Sequence, residues 1–439
     1  MIMAMIRPET EMKDSGVQWI GDIPSSWTIF PANGVFSEVK EKNMDLKLTN
    51  AFSFKYGEIV DKKQVGDVDN NLKETLSSYT IVRKNTIMIN GLNLNYDFVS
   101  QRVAIVNESG VITSAYLAIQ PDENKINPRF VLYLLKSYDY QQVFHGLGSG
   151  IRKTLKYQDF KKIMIVAPTL SKQQAIADYL DETCSKIDEI IAEAKASIDE
   201  YKELKQSVIF EAVTKGLDKN AEMKDSGYDF IGNIPSKWEM CKVRHLGTAQ
   251  NGISIGGDAF GSGHPFVSYG DVYKNYSLPK TVDKLVQSSE EDRKRYSVEK
   301  GDWFFTRTSE TIEEVGFSCV CEETIPDAVF AGFLIRVRPF NNRIYTGFAK
   351  YYFRSNHLRT FFVKEMNLVT RASLAQGLLK DAPVVVPPYD EQIEIANYLE
   401  NKCEIIDGVI KDKESTINDL EAYKKSLIYE VVTGKRRVV

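Results

Sequence analysis

The chain has 439 residues, 43% of them hydrophobic and 26% charged, with a net charge of −4. That is too long for one ordinary domain, and no apolar run approaches the ~18 residues of a membrane span. Five scattered cysteines, Cys319 and Cys321 without histidine neighbours among them, argue against a disulfide framework or a zinc cluster and fit a reducing cytoplasm. The opening Met1–Ile6 lacks the charged start and cleavage site of a secretory signal.

Taken in order, Met12-Lys13-Asp14-Ser15-Gly16, then Trp19-Ile20-Gly21-Asp22-Ile23-Pro24 and Trp27, interleave turn formers with large apolar residues. This suits an ordered, turn-rich clasp that docks a domain onto a helix. From residue 28 to 166 the pattern is strands with short turns and one helix. Ala51–Gly57, Tyr79–Asn90 and Ser114–Gln120 are rich in β-branched and aromatic residues and read as strands, and Pro128–Ser137 as a helix starting at proline. Ser171–Thr214 is a long helix with Ser171 as N-cap and a capping box to Gln174. Its apolar seam is expected at Ile176, Leu180, Thr183, Ile187, Ile190, Ala194, Ser197, Tyr201, Leu204 and Val208, which is coiled-coil spacing.

The chain then starts again. Met223-Lys224-Asp225-Ser226-Gly227, Ile231-Gly232-Asn233-Ile234-Pro235 and Trp238 repeat the clasp at an offset of 211, and Asp390–Thr433 repeats the long helix at 219. Gln173/Gln392, Ile176/Ile395, Leu180/Leu399, Cys184/Cys403, Asp188/Asp407, Ile191/Ile410, Ile198/Ile417 and Lys205/Lys424 are identical pairs. The second seam is expected at Ile395, Leu399, Lys402, Ile406, Val409, Lys413, Thr416, Leu420, Tyr423 and Leu427. Between these scaffolds the likeness is weak: Tyr56-Gly57 lies over Tyr269-Gly270, Asn90 over Arg307, and Arg152 over Arg371. A repeat of this kind fixes the architecture before any motif does. It predicts an α+β protein of two similar mixed α/β domains and two long helices packed as an antiparallel coiled coil, with a pseudo-twofold. The expected divisions are 12–166, 167–216, 223–385 and 386–434.

Acidic residues gather on the helices, and both intervening regions are mildly basic, which is the distribution that matters for gripping phosphates. Catalytic motifs are absent. Val386-Pro387-Pro388-Tyr389 superficially resembles the adenine methyltransferase motif, but Val386 stands where an amide or carboxylate is needed. The glycine clusters at Gly146–Gly150 and Gly256–Gly263 lack a strand-then-helix setting, and the four histidines lie apart. Lys435-Arg436-Arg437 reads as a solubilising tail. On the residues alone, a coiled-coil adaptor between proteins remains an alternative to a DNA reader.

The clasp sequence is similar to the segment that opens each half of the specificity (S) subunit of type I restriction-modification systems. So are Phe304-Phe305-Thr306-Arg307-Thr308, the Gly150-Ile151-Arg152 loop, and the Val166-Ala167-Pro168 and Val386-Pro387-Pro388 junctions with their helices. The resemblance covers nearly the whole chain, twice. It implies two target recognition domains that each read one half of a split sequence in double-stranded DNA, with the helices setting their separation. It further implies no catalysis by this chain. Two modification (M) subunits would transfer methyl from S-adenosylmethionine to adenine N6, and restriction (R) subunits would use ATP and Mg.

For DNA contact the tools are cations, hydroxyls and amides on loops: backbone contacts set position and base-edge contacts set sequence. The candidates are Lys55, Tyr56, Asn90, Asn93, Arg152 and Lys153 in the first domain. In the second they are Ser268, Tyr269, Arg307, Thr308, Ser309 and Arg371. Arg307, taken as standing opposite Asn90, suits guanine, and an asparagine suits adenine.

Overall fold

The computed structural model describes residues 5–62, 70–99, 101–148, 150–309, 315–365 and 372–438. It forms two compact units, Met1–Ala194 with Glu414–Val439, and Lys195–Lys413. The boundary passes through both long helices, Leu170–Lys215 (46 residues) and Tyr389–Val432 (44 residues), so each unit holds part of each.

Both units carry the same sheet. In the first, the strand order is Val103–Ile105, Ile87–Ile89, Leu117–Pro121, Phe36–Glu38, all antiparallel. In the second it is Ser318–Val320, Trp303–Thr306, Leu334–Pro339, Gly247–Asn251, again antiparallel. A further strand pair closes each unit: Thr28–Pro31 with Met164–Ala167, and Glu239–Lys242 with Pro383–Val386. The strand leaving the clasp thus pairs with the strand entering the long helix. Val386 is the buried last residue of that strand, which accounts structurally for the Val-Pro-Pro-Tyr run.

Each clasp is a hairpin, Met12–Asp14 with Asp22–Pro24 and Met223–Asp225 with Asn233–Pro235, and it docks on a helix C-terminus. Lys435 donates to the carbonyls of Ile20 (2.6 Å) and Asp22 (3.0 Å). In the second unit Lys215 donates to those of Ile231 (2.9 Å) and Asn233. Gly434 and Gly216 follow the two helices with φ of +77° and +75°, where a Cβ would come 3.0 Å from Trp27 and Trp238 respectively. Only glycine combines that left-handed turn with so close an aromatic neighbour. The basic end is therefore no free tail. Arg436–Arg437 pair with Met5–Ile6, and Arg437 bridges to Glu11.

Inside each unit a short helix is pinned to a long one by a repeated set of bonds. Tyr133 and Tyr351 donate to Asp181 (2.8 Å) and Glu400 (2.7 Å). The repeated glutamines are buried at the helix starts. Gln173 accepts the amide of Asn127 (2.7 Å) and donates to Pro168 O (2.9 Å); Gln392 accepts that of Tyr345 (2.7 Å) and donates to Pro387 O (2.9 Å). The helices begin one residue earlier than expected, at Leu170 and Tyr389, so Ser171 and Asp390 lie in the first turn and are not the N-caps.

The seam also differs from expectation at alternate positions. The buried or half-buried row runs Ala177, Leu180, Cys184, Ile187, Ile191, Ala194, Ile198, Tyr201 and Lys205, and Ile190 and Leu204 are exposed. The second helix shows the same row at Ala396, Leu399, Cys403, Ile406, Ile410, Lys413, Ile417, Leu420 and Lys424. One heptad position was right; the other lies one residue further on. Across the seam Lys424 bonds Asp188 in the first unit and Lys205 bonds Asp407 in the second, each with the helices antiparallel.

Two expected strands are divided or moved. Tyr79–Asn90 splits into Thr80–Val82 and Ile87–Ile89, which belong to different sheets, because Asn85 turns the chain at φ +70°. The strand near Ser114 starts at Leu117.

Candidate nucleic-acid interface

In the first unit the hairpin Phe52–Lys55/Glu58–Asp61 turns at Tyr56 and Gly57, both with positive φ (48° and 78°). Such a turn matches the strand twist and throws its side chain outward: Tyr56 is 87% exposed, beside exposed Lys55. The turn abuts Gln101, which lies within 3 Å of where a Cβ on Gly57 would stand. Gln101 adjoins the second element, the loop Asn90–Val99. That loop is tied to a third, around Ile151–Leu155. Leu94 N–H donates to Lys153 O (3.0 Å), Leu155 N–H to Gly91 O (2.9 Å), and Asn95 Nδ2 to Ile151 O (3.0 Å). Asn93, Arg152 and Lys153 are exposed and Asn90 is half-buried. The six first-domain candidates therefore gather on three neighbouring loops.

Beneath them lies a polar cluster that sequence reasoning missed. The buried Arg102 donates to the carbonyls of Asn90, Leu92 and Asp97, and its own N–H donates to Asp139 (2.7 Å). Burial pushes the Asp139 carboxyl up to about 6, although the Arg102 amide and guanidinium pull it down. His145 Nε2 sits 2.9 Å from Asp97 O, and its ring stacks on Phe98 at 5.1 Å.

The second unit is built differently at the same edge. Tyr269-Gly270 is no hairpin turn: Ser268 caps the helix Tyr269–Lys274, with its amide and hydroxyl both donating to Asp271 (2.8 and 2.7 Å). The match to Tyr56-Gly57 was one of letters only. Ser268 is buried and also receives Lys284 Nζ at 3.2 Å, so its hydroxyl serves the fold. Tyr269 stacks on Tyr273 at 6.0 Å. The end of this helix is held by Arg354, which donates to the carbonyls of Val272, Tyr273, Asn275 and Ser318. Arg307 is half-buried, its amide donating to Phe333 O (2.9 Å) and its carbonyl accepting from Leu374 (2.7 Å). Ala331 N–H donates to Val267 O, so the turn at Ala331–Phe333 brings Arg307 and Ser268–Tyr269 to one edge. Thr308–Ser309 pair with Ala372–Ser373. The side chain of Ser309 and all of Arg371 lie outside the described residues.

Strand register corrects one equivalence. Ile119 pairs with Ile87, and Val337 with Trp303, which places Thr306 at the position of Asn90 and Arg307 at that of Gly91. The bonds agree: Leu155 N–H goes to Gly91 O and Leu374 N–H to Arg307 O. Arg307 is thus not the counterpart of Asn90.

Comparison with known proteins decides what this doubled fold is. The family model for the type I restriction modification DNA specificity domain matches residues 24–200 and again 235–418. The chain belongs to that family. Among specificity-family relatives, the chain is 21% identical to the EcoKI specificity subunit of Escherichia coli K12, over 94% of this chain and 90% of that one. It is 20% identical to the MjaVIII specificity subunit of Methanocaldococcus jannaschii, over 95% and 94%. Of solved structures, a chain from a type I restriction-modification system, studied for complex assembly and conformational transition, superposes with a TM-score of 0.71. It shares 14% identity over 93% of this chain and 98% of that one. The HsdS subunit of Thermoanaerobacter tengcongensis gives 0.52 at 15% identity, over 94% and 98%. At such identities the likeness to the solved structures is one of fold. Among the described residues no helix is long and apolar enough to cross a membrane, and no group of three His, Cys, Asp or Glu is placed to hold a metal.

Proposed function

We propose that this chain is the DNA-recognition subunit of a type I restriction-modification complex. It reads a bipartite target with one half-site per domain and does no catalysis itself. The observation that carries this is the pairing of identical scaffolds with unlike edges. The same four-strand order and the same helix-pinning bonds occur twice, while the exposed edge is a hairpin and a braced loop in one unit and a capped helix in the other. Two readers on one repeated frame suit two different half-sites. The same frame offers partners a similarly built helix pair twice, which suits two modification subunits bound alike, with restriction subunits outside them. S-adenosylmethionine, ATP and Mg then belong to those partners. Five free thiols suit a reducing cytoplasm. A pure coiled-coil adaptor would have no use for two differently built edges.

The test is to map methylated adenines in a host that carries this chain with its modification subunit, against the same host lacking it. A split motif that appears only with the chain is expected. A complex that assembles with an active partner and marks no split motif would sink the proposal.

A further inference from the structure

We infer that Arg102 is the positioning residue for the first half-site: from inside the domain it fixes the shape of the loop Asn90–Val99, whose outward side chains meet the bases. The inference rests on the DNA-recognition reading above. The Arg102 side chain has no solvent exposure. Its Nη1 donates to Asn90 O (2.8 Å) and Leu92 O (2.9 Å). Its Nη2 donates to Asp97 O (2.6 Å) and lies 3.4 Å from the Asp97 carboxylate. A buried guanidinium is costly unless its donors are met. Here Nη1 and Nη2 are met by carbonyls at three points along eight residues of one loop, and Nε has no partner among the described residues.

The consequence is geometric. Carbonyls that would otherwise face water are drawn inward; within the loop Leu94 is turned in and fully buried, while Asn93 and Tyr96, and Phe98 and Val99 just past the last bonded carbonyl, are turned out. Asn93 takes a left-handed φ of 53°, and Tyr96, Phe98 and Val99 are 70%, 55% and 93% exposed. His145 holds the far end through Asp97 O and the Phe98 ring. Bonds to Ile151, Lys153 and Leu155 make the loop one body with the segment that bears Ile151, Arg152 and Lys153. Exposed apolar and aromatic side chains flanked by two cations are a poor surface for water alone. They fit a duplex, with cations on phosphates and flat or branched side chains against base edges or a base step.

Arginine is required by shape. Its planar fork presents five donors in fixed directions, whereas a lysine ammonium cannot reach three separated carbonyls at once. The device is also one-sided. Asn90 N–H donates to Arg102 O, and the equivalent Thr306 N–H donates to Phe317 O, so the second domain has a phenylalanine at this position. Damage at Arg102 should therefore be felt at one half-site.

The experiment uses the full complex with its modification subunit and a DNA panel in which each half-site is altered one base at a time. For Arg102→Met, discrimination at the first half-site should fall about tenfold or more, the scale of one lost base contact, while discrimination at the second stays at wild type. Arg102→Lys should recover part of it. Tyr96→Ala and Val99→Ala, on the loop surface and remote from the core, should lower first-site discrimination without touching the second. Wild-type discrimination at both half-sites in Arg102→Met would overturn the inference. So would equal loss at both, which marks a residue that only supports the fold, or surface variants that read the first half-site normally. A wild-type complex that marks no split motif would instead remove the DNA-recognition reading itself.

Discussion

Lys424 bonds both carboxylate oxygens of Asp188, at 2.6 and 2.5 Å, and the pair is the pseudo-symmetric copy of Lys205 on Asp407, at 2.8 and 2.7 Å. The aspartates are over half exposed, and the lysines are 24% and 13% exposed along their side chains. Exposed pairs contribute little, so a double-mutant cycle on either should give a coupling of about 0.5–1 kcal/mol, weakening with salt. Because the pairs share no partner, the cycles should be additive. Lys424→Asp should destabilise and Asp188→Lys with Lys424→Asp should largely restore, by urea denaturation. A doubly reversed chain no more stable than the single variant would show that the pair does not hold the helices in register.

Gln392 bonds three backbone groups from a fully buried site: the Tyr345 amide and the Arg343 carbonyl of one segment, and the Pro387 carbonyl just before its own helix. Gln392→Leu keeps the volume and strands these groups, which costs roughly 1–3 kcal/mol for each unsatisfied polar group. The same substitution at Gln173 should do likewise in the first unit. Thermal melts of the two variants should each show a clear drop. An unchanged melt for Gln392→Leu would mean that water replaces the amide.

That glutamine also shows how much was legible. Its identity in both copies was plain, and the structure explains it, as it explains Cys184/Cys403 and Ile191/Ile410, which occupy the buried row. The expected seam nevertheless ran through Ile190 and Leu204. It followed apolar character where identity between the copies was the better guide, because a long helix tolerates exposed leucine but not a changed core knob. The edges were less legible. Tyr-Gly occurs in both copies, yet Tyr56-Gly57 is bounded by paired strands and Tyr269-Gly270 by a capping serine and aspartate, and neighbours decide between turn and helix. Arg102 gave almost no signal. An arginine directly before the apolar run Val103–Val106 was the one hint of a buried guanidinium, and its carbonyl partners carry no side-chain signature.

His357 is buried among Phe210, Phe230 and Tyr352, with Ser355 Oγ 2.7 Å from Nδ1. Burial, with Lys215 adding repulsion, holds its pKa down to about 3 from 6.5. A depressed folded pKa means that the unfolded chain takes the proton first. The stability it contributes is whole above pH 6.5 and is lost as pH falls towards 3, by about 1.4 kcal/mol per pH unit. Against wild type, His357→Asn should flatten the fall in stability of the second unit between pH 6.5 and 4. Parallel pH profiles for the two proteins would show that His357 is not kept neutral by the fold.

Arg307 and Lys153 should fail in different ways. Arg307 directly follows a central strand, fixed by backbone bonds on both sides, with its guanidinium 3.5 Å from Gly332 O. A side chain so placed can read a base, and Arg307→Ala should relax one position of the second half-site by about 1–3 kcal/mol. Lys153 is exposed on a loop whose carbonyl is bonded inward to Leu94, and an exposed ammonium there can follow phosphates. Lys153→Ala should weaken binding to all sequences alike and lower the salt slope by about 1. Both are read by titrating the complex onto target and altered duplexes across a salt series. The assignment of roles fails if Arg307→Ala weakens every duplex equally, or if Lys153→Ala changes the preferred base at any one position.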